Sequence, residues 1–141
     1  MKLFFSALFL GTCVIFSCSP KKGPSEILIQ ANDVHNEALG IYSEAHELYE
    51  TLKRQAETSN NEKLIIQLDS IHELLHGWED GVYEVPGFEH DHGEQGHSHE
   101  HSHVVAPPMT DQSMLDYQIN ARKAIEEIRE VLQDLINQEN E

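Results

Sequence analysis

At 141 residues the chain can bury one modest core and no more. Its 25 Asp and Glu stand against nine Lys and Arg, a formal net charge of −16, which excludes a nucleic-acid surface and any electrostatic hold on anionic lipid. Its two cysteines, Cys13 and Cys18, rule out a CxxC zinc or haem-attachment motif.

The chain opens with Lys2, an apolar run from Leu3 to Phe16, then Ser17-Cys18. The run falls well short of the roughly 20 residues of a membrane-spanning helix and reads as a signal-peptide core. Ile15-Phe16-Ser17-Cys18 resembles the lipobox of bacterial lipoproteins, with Phe16 bulkier than is usual at its position. That resemblance implies a signal peptide over 1–17, cleavage before Cys18, diacylglycerol on its sulfur and a fatty acyl (palmitate-class) chain on the new N-terminus. An ordinary secretory signal with a spare cysteine is the alternative. Cys13 fits less well, since Thr12 precedes it and the apolar core would be too short. Two or three acyl chains anchor firmly where one binds marginally. Cleavage would leave Cys18 the only cysteine, so the expected mature chain has no internal disulfide. Residues 18–25 then form a lipidated tether. Serine after the modified cysteine goes, in enterobacterial sorting, with export to the outer membrane, so the expected location is the outer membrane facing the periplasm.

Residues 26–138 read as one helical domain. Ile27, Ala31, Val34, Ala38, Ile41, Ala45, Leu48 and Leu52 repeat at heptad spacing. Ser25 is the expected N-cap, and Ser59-Asn60-Asn61 ends the pattern. A second stripe runs Leu64, Leu68, Ile71, Leu75, Trp78 and stops near Asp80-Gly81. A third runs Met114, Ala121, Ile125, Ile128, Leu132, Leu135, interrupted by Gln118 and capped by Thr110, with Asp111 and Asp116 favourable near its positive end. The short turn makes the first two helices an antiparallel hairpin, and the third closes the bundle. The predicted fold is therefore all-α, an antiparallel three-helix bundle with a flexible His-rich loop over 89–109. At ~1.5 Å per residue the first helix, roughly 48 Å, overhangs the second, about 27 Å. Val82–Phe88 is the apolar piece placed to cover that overhang.

Six of the ten histidines fall in His90–His103, HDHGEQGHSHEHSH. Neutral imidazole suits zinc and copper, and carboxylates complete shells, so His90, Asp91, His92, His97, His99, His101 and His103 are the candidate ligands, zinc first and copper second. Glu94 and Glu100 are interleaved with them, and the glycines and serines give the stretch no reason to fold without an ion. The alternative is a solvated polar loop. Met109 and Met114 are soft donors close by, although a Met on a stripe is more often core.

His72-Glu73-Leu74-Leu75-His76 satisfies HExxH and locally resembles the zincin metalloproteases, which implies zinc on His72 and His76 and Glu73 as general base. The metzincin extension would need Gly and a third His where Glu79 and Val82 stand, and a gluzincin glutamate could come only from the third helix, as Glu126 or Glu127. The expectation is no enzyme. A second metal site is the better use: Asp69, His72 and His76 beside the second stripe, paired with His35 or His46 of the first helix. Their alternative role is as boundary histidines hydrogen-bonded to Glu or solvent. Glu73-x-x-His76 resembles half of a ferritin-like di-iron motif, which needs two such pairs and four helices. Tyr42, Tyr49 and Trp78 read as core and rim packing.

Val34-His35-Asn36-Glu37, Leu74-Leu75-His76-Gly77-Trp78 and the long final helix resemble a group of small helical lipoproteins of Bacteroidetes, which implies a helical fold and an envelope location but no function. The histidine string resembles the mobile loops of periplasmic zinc receptors and metal transporters, which are thought to gather or sense metal. The combined expectation is a lipid-anchored envelope protein that buffers or delivers zinc or copper, with a metal transporter or other envelope protein as partner. The rival is an acidic helical adaptor with an incidental His loop. The overhanging stripe could also drive homodimerisation.

Overall fold

A computed structural model describes residues 23–88 and 106–139. Three helices make up the fold: α1 (Glu26–Ser59), α2 (Glu62–Gly81) and α3 (Asp111–Glu139). They pack as the expected three-helix bundle, and no strand runs through the described residues.

The helix ends follow the local chemistry. The Ser25 hydroxyl accepts from Leu28 N at 3.2 Å and donates to Asp111 Oδ2 at 2.6 Å, so one side chain caps α1 and ties it to the start of α3. Asn60 ends α1 in the left-handed conformation (φ 52°, ψ 39°), which Asn tolerates better than other residues with a Cβ. Asn61 then caps α2, its side chain accepting from Leu64 N at 3.2 Å. Thr110 caps α3 through Ser113 N at 3.1 Å. At ~1.5 Å per residue the helices are about 51, 30 and 43 Å long.

The hairpin of α1 and α2 is not the most intimate pairing: α1 lies closest to α3. The two run parallel, since Ser25 meets Asp111, Glu37 meets Arg122 (2.6 Å) and Glu44 meets Arg129 (3.0 Å) in ascending order along both chains. Asn61 Nδ2 donates to Glu139 at 3.3 Å at the far end. The contact is close because α1 presents a ladder of fully buried alanines, Ala31, Ala38 and Ala45, where Met114, Ile125 and Leu132 can interdigitate.

One expectation needs correction here. The α1 stripe through Ile27, Val34, Ile41 and Leu48 is only half-buried, whereas His35, Tyr49 and Ala56 are fully inside and Tyr42 is partly inside. His35, Tyr42 and Tyr49, which recur every seven residues beside that stripe, form part of the seam. The cause is that α1 packs against two partners, so its buried arc is centred on the Ala31–Leu52 line and widened on both sides.

The overhang of α1 is covered as anticipated. Val85 is buried against Ala31 and Met114, with Leu28, Phe88, Ala106, Met109 and Leu115 around them. Tyr117 pins the start of this strap: its hydroxyl donates to Gly81 O at 2.6 Å and accepts from Tyr83 N at 3.2 Å, and its ring stacks on Tyr83. Gly87 completes the strap at φ 88°, a region L-residues avoid. Met114 is thus a core residue, 1 % exposed, and not poised as a copper ligand.

Candidate functional site

The expected metal-binding string His90–His103 and the lipidation position Cys18, with the signal peptide before it, lie outside the described residues. What can be placed are the points from which the string departs and returns. Phe88 and Ala106 both pack on the apolar cluster around Ala31, Val85 and Met114. Ser25, seven residues after Cys18, sits at that same end, bonded to Asp111.

The residues proposed from sequence for a second site separate into two groups. His35 is buried between α1 and α3, away from the α1–α2 contact on which the interhelical pairing with His72 or His76 depended. Its Nδ1 lies 3.2 Å from Gln118 Oε1, and Gln118 Nε2 donates to Tyr83 O at 2.7 Å. An amide oxygen only accepts, so this arrangement puts the proton of a neutral His35 on Nδ1. Gln118, fully buried, is therefore the clasp joining α1, α3 and the strap, which explains a polar residue interrupting the α3 stripe. Burying an amide is tolerated when both its ends are bonded.

The second group lies along the α1–α2 contact. Trp78 stacks on Tyr42 (centroids 5.3 Å, 16° between planes) and donates from Nε1 to Ala121 O at 2.8 Å. Tyr49 stacks on His72 (5.4 Å, 14°), and His72 meets His76 nearly perpendicularly at 4.6 Å. His46 lies obliquely beside both Tyr42 and Tyr49, and Lys53 Nζ is 5.7 Å above the Tyr49 ring. The result is a continuous row of rings from Trp78 to His76. Burial raises the Tyr42 phenol well above its ordinary value, and a hydrogen bond to Glu79 with the charges of Glu79 and Asp80 pushes the same way. His76 Nδ1 is 3.9 Å from Glu79 Oε2.

His72 and His76 share one face of α2, as their spacing requires. Asp69 is exposed and does not join them: no three His, Cys, Asp or Glu side chains among the described residues converge in a way that holds a metal. Glu73 of the HELLH pattern is exposed on the same helix. Tyr117, Gln118 and Glu79 take these roles without any motif to announce them; only Gln118 left a signal in the sequence, as the polar break in an apolar stripe.

No helix among the described residues is long and apolar enough to cross a membrane. No family model, no curated protein and no solved structure matches the chain.

Proposed function

We propose that this is a lipid-anchored, non-enzymatic protein of the cell envelope that captures zinc or copper through His90, Asp91, His92, His97, His99, His101 and His103, for buffering or delivery. The observation that carries this reading is six imidazoles within 14 residues. Such a string offers many exchangeable shells of two to four nitrogens, which gives moderate affinity and fast release. Protons compete for the same nitrogens, so binding weakens as pH falls toward the ordinary histidine value near 6.5. Zinc and copper both suit imidazole, and the acidic balance of the chain enriches either cation.

The bundle end favours a membrane-side role. The string leaves from Phe88 and returns at Ala106, on the same end as Ser25. Seven residues span at most roughly 25 Å, so acylation of Cys18 would hold this end close to the bilayer. A membrane-embedded metal transporter is then the partner within reach, and the outer membrane facing the periplasm is the proposed location.

Calorimetric titration of the chain beginning after Cys18 with zinc and with cuprous ion, beside a variant with all six string histidines changed to Ala, tests the reading. Binding that is strong in the wild type and lost in the variant supports it; equal binding in both refutes it. The rival adaptor reading draws on Ile66 and Leu74, which α2 leaves exposed. It requires a partner captured equally by wild type and by the six-alanine variant.

A further inference from the structure

We infer that His72 and His76 form a second, independent site on α2: a two-imidazole clip for a divalent late first-row cation, cupric ion above zinc. It differs from the interhelical site expected from sequence, since His35 is committed to Gln118 and Asp69 stands apart.

Three observations combine. The two rings are already neighbours on one helix face, with centroids 4.6 Å apart, so chelation needs a turn of one side chain and no movement of the backbone. The His72 ring is held flat against Tyr49, which fixes the plane of one ligand. His76 is 57 % exposed and free to turn, and its Nδ1 faces Glu79 at 3.9 Å. A carboxylate near one ring nitrogen is the usual second partner of a metal-bound histidine, and it leaves Nε2 for the metal. The rings now stand 85° apart, so His76 must rotate to bring its nitrogen within roughly 3 Å of the His72 nitrogen, the spacing two bonds of about 2.0 Å demand. Glu79 also receives the Tyr42 hydroxyl, which limits how far that carboxylate can follow. Water completes the shell, so the clip binds an exchangeable ion and does not hold a structural one. Among divalent ions nitrogen ligands favour copper.

The two metal readings fail separately, because the string is removed before the clip is examined. The probe is cupric chloride added to the mature chain carrying the six string histidines as Ala. The expected result is one residual equivalent of copper, a cupric EPR spectrum with two imidazole nitrogens, and quenching of Trp78, the sole tryptophan, which continues the ring row. His76→Ala in that background should weaken binding roughly 100-fold, the scale on which a second tethered contact adds to a first, and zinc should follow the same pattern more weakly. His46→Ala should change nothing. Because His76 is exposed, its Ala variant should keep the thermal midpoint, which separates lost ligation from lost folding. Absence of residual copper binding, or binding that survives His76→Ala, overturns the inference.

Discussion

Gln118 offers the sharpest test of how the bundle is held. Its amide satisfies His35 Nδ1 on one side and the Tyr83 carbonyl on the other, and it contacts Met114 Sδ at 3.6 Å. Gln118→Met keeps the volume and the unbranched shape and removes both hydrogen bonds. The gain in apolar burial is small, because the methylenes of Gln118 are already inside. The loss is a buried His35 N–H without its acceptor, about 1–3 kcal/mol, and a Tyr83 carbonyl without its donor, at the low end of that range because Tyr83 is only half-buried. The expected destabilisation is therefore about 2–3 kcal/mol, or a fall in thermal midpoint of roughly 8–20 °C for a domain this size. Urea denaturation followed by circular dichroism reads the free energy. Hydrogen exchange at Tyr83–Phe88 should rise beyond the global effect, since the strap loses its clasp. A variant within about 0.5 kcal/mol of wild type would refute the account of Gln118 as a buried clasp.

Ala38→Leu should cost about 1–3 kcal/mol by forcing α1 and α3 apart, measurable by thermal melting, whereas a surface residue such as Glu57 should tolerate Leu. Arg129→Gln should cost less than about 1 kcal/mol, with the difference shrinking in high salt, because its pair with Glu44 is exposed to water. The raised phenols of Tyr42 and Tyr117 disfavour phenolate in the folded state. Their contribution to stability is fully present below the ordinary value near pH 10 and is lost as pH rises through the folded values. Ultraviolet titration should show Tyr42 and Tyr117 ionising late, and Tyr42→Phe should remove one late step. Asn60→Val should cost about 1–2 kcal/mol in denaturant melts, and Asn60→Gly almost nothing, since the position is left-handed.

The caps at Ser25 and Thr110 were legible because each is a local matter of one side chain and three amides, whereas Ser59-Asn60-Asn61 announced only a break. The three helices and the covering strap Val82–Phe88 were legible because apolar spacing and helix length state what must be hidden. The breadth of the α1 seam was not. His35, Tyr42 and Tyr49 carry polar atoms, and only the third dimension reveals that Gln118 and Glu79 bond the first two and that the Tyr49 ring lies flat on His72. Nor does spacing say that α1 prefers α3, a choice made by the alanine ladder meeting large residues 83 or more positions away. The string at His90–His103 lies outside the described residues, and its proposed chemistry rests on composition alone, since many interchangeable ligands need no single geometry.

The bundle has a direction. α1 and α3 begin together at Ser25 and Asp111, and the turn at Asn60-Asn61 meets Glu139 at the other end. Were Cys18 acylated as proposed, the helices would act as a spacer, with the Asn60 turn about 50 Å from the end that holds Ser25. A fluorophore attached at Glu139 would report from that distal end, beside Asn61. Resonance energy transfer to a labelled membrane would then read the height of the tip directly.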